Sequence, residues 1–143
     1  MIREYNKADL ENLMSIWQQA SALAHPFLEE EFVKNITEAM RTIYLPDPEA
    51  KTYVFEENKN VLGFISMREN EIAGLFVNPE HHSKGIGSCL INHIKENYEN
   101  LEVEVFKNNK IGRAFYDKYE FVTIKEYLFE PAKQEILRMR YNK

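Results

Sequence analysis

Two periodicities divide the chain. Up to about residue 45 the apolar positions recur with helical spacing. After Asp9, Leu10, Leu13, Met14, Trp17 and Ala20 fall on one face. His25-Pro26-Phe27 interrupts that pattern, because Pro26 biases the residue before it away from helix. Glu29-Glu30-Glu31 then opens a second helix, with negative charge where the helix dipole favours it. Its expected apolar face is Phe32, Ile36, Ala39, Met40 and Ile43, and Pro46-Asp47-Pro48 ends it.

From Lys51 the period shortens to two. Strands are predicted for Lys51–Glu56, Val61–Met67 and Ile72–Val77, separated by Asn58-Lys59-Asn60 and Arg68-Glu69-Asn70 turns. The third of these is mostly apolar, which places it centrally in a sheet. A helix over Gly85–Asn97 presents Ile86, Leu90, Ile91 and Ile94. A strand follows with Leu101, Val103 and Val105, and then a helix over Lys110–Tyr119 with Ile111, Ala114 and Phe115. Phe121–Phe129 and Glu135–Tyr141 close the chain as two strands, and Ile2–Tyr5 is a short first strand. The order β-α-α-β-β-β-α-β-α-β-β predicts an α+β fold: a mixed sheet of six to seven strands with about four helices. We expect one domain over residues 1–143, with no internal repeat.

Composition narrows the function classes. A net charge of -5 disfavours a nucleic-acid surface, which needs a positive field, and suits a basic partner. One cysteine, Cys89, excludes an internal disulfide and is expected to be a small packing residue. No run reaches the roughly 18 apolar residues of a membrane span, and no signal peptide opens the chain, so a cytoplasmic protein is expected. His81 and His82 are adjacent, a poor spacing for one metal, and no metal site is expected. Trp17 reads as core and His93 as exposed.

The local chemistry concentrates at Lys84-Gly85-Ile86-Gly87-Ser88, after a strand and a loop and at the start of a helix. The first amides of a helix lack intrahelical partners and, with the macrodipole, favour an anion. Glycines there remove side chains that would hold a phosphate away, and Lys84 adds a mobile positive charge. Two nucleotide readings lack required parts. A P-loop needs G-x-x-x-x-G-K-[ST], and a dinucleotide site needs a third glycine where Leu90 stands. On these residues alone, a diphosphate cradle and a plain tight turn both stay open.

The second motif is Asn108-Asn109-Lys110-Ile111-Gly112-Arg113-Ala114-Phe115-Tyr116, followed by Asp117-Lys118-Tyr119-Glu120-Phe121. Together the two motifs resemble those of the GNAT superfamily of N-acetyltransferases. That family carries (Gln/Arg)-x-x-Gly-x-(Gly/Ala), then Asn-x-x-Ala-x-x-Phe-Tyr-x-x-x-Gly-Phe. His25-Pro26-Phe27 resembles the His-x-Phe element of one bacterial branch. This chain departs at His82, where Gln or Arg is usual, at Gly112 for alanine, and at Glu120 for glycine.

The resemblance implies the GNAT fold and acetyl-CoA as co-substrate. The acetyl group would pass directly to a primary amine, on a small molecule or a protein lysine. It assigns the CoA pyrophosphate to His82, Ser83, Lys84, Gly85, Ile86, Gly87 and Ser88, and the pantetheine arm to Phe76, Val77 and Asn109. Tyr116 is implied beside the thioester sulfur as the general acid. Periodicity alone favours a core aromatic beside Phe115 on the helix face. Glu69 and Glu71 are candidates for the base, and His25 and Phe27 for acceptor binding. A monomer or homodimer is expected. The alternative is a non-catalytic acyl-CoA-binding module on the same fold.

Overall fold

The computed structural model describes residues 1–143. Seven strands form one sheet in the order β1-β2-β3-β4-β5-β7-β6. They are β1 (Ile2–Glu4), β2 (Lys51–Glu57), β3 (Asn60–Arg68), β4 (Glu71–Val77), β5 (Asn100–Phe106), β6 (Val122–Phe129) and β7 (Gln134–Asn142). The helices are α1 (Leu10–Ala24), α2 (Glu30–Ala39), α3 (Ile86–Lys95) and α4 (Lys110–Lys118). No helix is long and apolar enough to cross a membrane.

The apolar periodicity sorts the two faces. On one face Leu13, Met14, Ile16 and Trp17 of α1 pack on Val54 of β2 and Phe64 of β3. On the other, Leu90, Ile91 and Ile94 of α3 join Tyr116 and Phe121 over Ile65, Ile72, Leu101, Val103 and Met139. Trp17 is therefore core, as its helical spacing predicts. The N-terminus is pinned by Arg3, whose guanidinium donates two hydrogen bonds of 2.9 Å to the carboxylate of Asp9 and one of 2.8 Å to Glu56.

Every neighbouring pair in the sheet is antiparallel except β4 and β5. These two pair only at Glu71–Glu102 and Ile72–Val103, so they diverge after one turn of pleat. That divergence positions the site. The outer half of β4 keeps its ladder to β3 but has no strand on its other side, leaving backbone groups and side chains facing a gap. A bulge adds to this. Ser66 pairs with Gly74 and Met67 with Ile72, so Ala73 is an extra residue on β4. Gly74 fits because a Cβ there would meet the Phe76 ring at 2.9 Å.

Four expectations are corrected. α2 buries no residue fully, and Ile43 is 60% exposed, because the helix widens into a π-turn over Met40–Tyr44 and turns that side chain outward. Ile111 and Ala114 are exposed. The face of α4 that packs is Phe115 and Tyr116, one position round the helix. Cys89 is exposed, because Leu90 and Ile91 take the inward positions of α3. His93 is half-buried, edge-on to Tyr53 with ring centroids 5.0 Å apart.

Candidate active site

The glycine loop is held by short side chains and one histidine. Asn78 accepts from the Glu80 amide at 3.0 Å and starts the turn after β4. The His82 ring folds back and donates through Nε2 to the Val77 carbonyl at 2.9 Å. Its polar edge is thus used to tie the loop to the strand end, and Val77's carbonyl is used with it. Ser83 and Gly85 both take left-handed backbone, at φ 66° and 82°. Gly85 pays no Cβ penalty for this. α3 starts with no side-chain cap, and its first backbone bond runs from the Cys89 amide to the Gly85 carbonyl at 3.0 Å. The amides of Ile86, Gly87 and Ser88 therefore point outward from the first turn, beside Lys84. A Cβ on Gly87 would meet Phe115 at 3.0 Å, so this glycine lets α4 approach. Ser88 and Tyr119 hydroxyls join the two helices just below the loop.

A cavity of about 480 Å³ runs from this loop along Leu75, Phe76 and Val77 to Asn109 and Tyr116. A second, of about 460 Å³, lies between α1, α2 and the β4–β5 divergence. Leu75, Phe76, Asn109, Gly112 and Tyr116 line both, so the two cavities meet at the N-terminus of α4. One ends at the uncapped first turn of α3; the other is a mostly apolar chamber with Glu71 and Glu104 on its wall.

Tyr116 sits at the junction. It is 5% exposed and wedged edge-on between Phe115 and Phe121, both 5.2 Å away by ring centroid. Burial pushes its phenol above the ordinary value, so it stays protonated throughout the useful pH range. No side-chain polar atom in the chain is buried without a partner, and no internal hydrogen bond engages this hydroxyl. It therefore opens onto the cavities. The residue is a core aromatic whose hydroxyl reaches the cavities.

Asn109 and His25 form a chain across the junction. Asn109 is 8% exposed and caps α4, its Oδ1 accepting from the Gly112 amide at 2.8 Å. That bond orients the amide, so Nδ2 donates to His25 Nε2 at 3.2 Å. Nε2 is then the acceptor nitrogen. The proton must sit on Nδ1, which lies 3.0 Å from Ser21 Oγ and donates to it. Burial pushes the imidazole down from 6.5 to about 4, so at neutral pH His25 is an uncharged bridge between α1 and α4. The sequence placed Asn109 against the pantetheine arm and His25 against the acceptor; the structure joins them to each other.

The sign of the pH effect follows. The folded value lies below the unfolded one, so the unfolded chain binds the extra proton between pH 6.5 and about 4. This contribution to stability is intact above pH 6.5 and is lost as pH falls, by up to about 3 kcal/mol. Urea midpoints measured from pH 7 to pH 4 should fall, and His25→Gln should flatten the part of that slope due to this residue. An equal slope in the variant would remove His25 as its source.

Gly112 makes the bridge possible. A Cβ there would lie 2.5 Å from Asn109 Nδ2. Gly112→Ala gains roughly 1 kcal/mol of helix propensity and loses about the same from the displaced cap. We expect nearly unchanged Tm and a several-fold fall in kcat, measured on the same preparation. An unchanged kcat would show that the bridge does not matter to turnover.

The remaining candidates divide. Glu71 lines the apolar cavity and pairs with Arg138 at 2.8 Å. Glu69 is exposed at a left-handed turn position, φ 54°, and lines neither cavity. Phe27 lines neither as well. It packs behind the site, 5.9 Å from His25 and 5.7 Å from Phe106 by ring centroid, and Leu28 and Phe32 form the wall instead. The proline between His25 and Phe27 turns the chain so that the two rings meet. Residues missed in the sequence are Ser21, Ala73, Phe32 and Glu104. Gly74 in an apolar strand was the available signal for the bulge at Ala73. Glu104 read as the wet side of an alternating strand, and only the β4–β5 divergence makes it a cavity wall.

A family model described as an acetyltransferase (GNAT) domain matches residues 5–143. The chain is 30% identical over 122 residues to the peptidyl-lysine N-acetyltransferase YiaC of Escherichia coli K12, covering 85% of this chain and 82% of that protein. It is 26% identical to the peptidyl-lysine N-acetyltransferase YjaB of the same strain, covering 84% and 80%. Among solved structures, the apo form of E. coli YjaB superposes with a TM-score of 0.88 at 24% identity, over 99% of this chain and 96% of that one. The PaiA N-acetyltransferase of Thermoplasma acidophilum in complex with coenzyme A gives 0.80 at 19%, over 99% and 98%. With the divergent β4–β5 pair, the uncapped α3 and the Asn109–Tyr116 junction, the chain belongs to the GNAT family and is an N-acetyltransferase.

Proposed function

We propose that this enzyme transfers an acetyl group from acetyl-CoA directly to a primary amine. The observation that carries the reading is the meeting of the two cavities at Asn109 and Tyr116. A thioester in one and an amine in the other would be in contact there, with no covalent enzyme intermediate required. Acetyl-CoA supplies the activated acyl group and a good leaving thiolate. The residues present fit it: the uncapped first turn of α3 and Lys84 suit a pyrophosphate, and the free edge of β4 offers backbone partners to an extended arm.

Tyr116 holds the proton that the leaving sulfur takes, donated from its hydroxyl. The acceptor must arrive neutral. A lysine-like amine, with a pKa of about 10.4, is neutral in only about one molecule in 2,500 at pH 7, a deficit of roughly 4.6 kcal/mol. Glu71, on the cavity wall, is the better placed of the two glutamates to take that proton, directly or through water. Ala73, in the bulge beside Gly74, puts irregular backbone at the same spot.

Calorimetric titration with acetyl-CoA and with CoA tests the donor half. Micromolar to submillimolar binding is expected. No heat at millimolar ligand would overturn the reading.

A further inference from the structure

The chamber on the acceptor side is built for more than an amine nitrogen. Its volume of about 460 Å³ lies in the range of roughly 300–1,000 Å³ that encloses whole small molecules. A lysine's four-carbon stem fills far less. Eighteen of its 27 lining residues are hydrophobic, so burial of apolar surface dominates what it can offer. Trp17, Phe32, Ile36, Met40, Phe106 and Phe129 are among the apolar residues on its wall.

The inner face of α2 sharpens the point. Phe32, Ile36 and Met40 have apolar spacing on one side of the helix, yet none is fully buried. That side faces the chamber and packs only partly on protein. Phe32 meets Phe129 edge to face at 6.3 Å, and Glu29 pairs with Lys133 at 3.4 Å. Those two contacts hold α2 to the turn between β6 and β7 and give the chamber an aromatic wall on that side. Rings presented edge-on in this way accept another ring in offset or edge contact.

Charge excludes one class of amine. Two carboxylates line the chamber, Glu71 and Glu104. Glu71 is paired with Arg138, and Glu104 accepts a 2.5 Å bond from the Tyr127 hydroxyl and lies 3.4 Å from Arg138. Arg68, also on the wall, is paired with Asp47. A polyamine brings two or three ammonium groups and needs an uncommitted carboxylate for each. Beyond these paired carboxylates, the wall of the chamber is mostly apolar.

We propose that the acceptor is a primary amine on a compact apolar body, an arylalkylamine by class, with its ring among Phe32, Ile36, Met40 and Phe129. The proposal rests on the amine-acetylation reading above. It differs from the lysine acceptor named for the relatives.

The test compares kcat/KM at saturating acetyl-CoA for 2-phenylethylamine, spermidine and Nα-acetyl-lysine amide. Phenylethylamine is expected to lead both others by at least tenfold. Phe32→Asp should lower its kcat/KM at least tenfold more than it lowers spermidine's, with the acetyl-CoA Kd unmoved by calorimetry. Ile36→Asn, on the same wall, reads the same comparison if the first variant does not fold. Spermidine or the lysine amide equal to or ahead of phenylethylamine overturns the proposal alone, as does an equal fall for all three amines in the variant. No turnover of any of the three, with acetyl-CoA bound, overturns the acetylation reading and the proposal with it.

Discussion

Tyr116→Phe should lower kcat about a hundredfold while leaving the acetyl-CoA Kd within about twofold, a loss of roughly 2.7 kcal/mol confined to the transition state. The variant isolates one atom. The ring stays, with its edge contacts to Phe115 and Phe121 at 5.2 Å. The hydroxyl makes no internal hydrogen bond, so its removal leaves nothing unpaired and should change stability by less than about 1 kcal/mol. Burial also holds the phenol protonated, so the wild-type enzyme should show no tyrosine ionisation in its kcat profile below pH 10. A kcat within threefold of wild type would remove Tyr116 as the acid and leave it a core ring.

Gly85→Val should act in the opposite way, on affinity. At φ 82° a β-branched residue is a backbone outlier, costing about 1–2 kcal/mol of stability. No atom outside its chain neighbours lies within 4 Å of a Cβ built there, so the added side chain would stand in open space at the N-terminus of α3. That is where the pyrophosphate is proposed to sit. The Kd for CoA should rise tenfold or more, with kcat at saturation little changed. Gly85→Asn separates the two causes, because asparagine tolerates left-handed backbone but still fills the space. Weak binding in both variants supports the cradle. Weak binding only in the valine variant would point to strain instead.

The parts of this molecule that depend on local pattern were legible from the residues. The helical spacing of Leu13, Met14 and Trp17, the alternation of Leu101, Val103 and Val105, and the glycine loop before α3 each rest on a period or a turn that a short stretch carries. What was not legible depends on contacts between distant segments. His25 and Asn109 are 84 residues apart, and nothing in either neighbourhood says that one amide hydrogen bonds the other's imidazole. Phe27 read as a pocket residue because it follows His25 and Pro26, yet the ring turns behind the site onto Phe106. Glu69 and Glu71 were equivalent on paper. The left-handed turn at Glu69 separates them, leaving one outside and one on the cavity wall. His82 shows the same limit. Its place before the glycines suggested a ligand contact, and the fold spends its ring nitrogen on Val77.

Gly112 is instructive because it departs from the family motif. Read alone it weakens a helix turn. Read with Asn109, it clears the space that the Asn109–His25 bridge needs, since a Cβ would come within 2.5 Å of the amide nitrogen. A substitution that costs local stability can thus permit a tertiary contact that the usual alanine would exclude.

The central claim is transfer of acetyl from acetyl-CoA to an amine at the junction of the two cavities. The most direct test follows CoA release and the mass of the amine together, with 2-phenylethylamine present and absent. We predict CoA release that depends on the amine, matched one for one by a singly acetylated amine, and reduced about a hundredfold in Tyr116→Phe. Acetyl-CoA that binds and yet releases no CoA with this amine, spermidine or a lysine amide would contradict it.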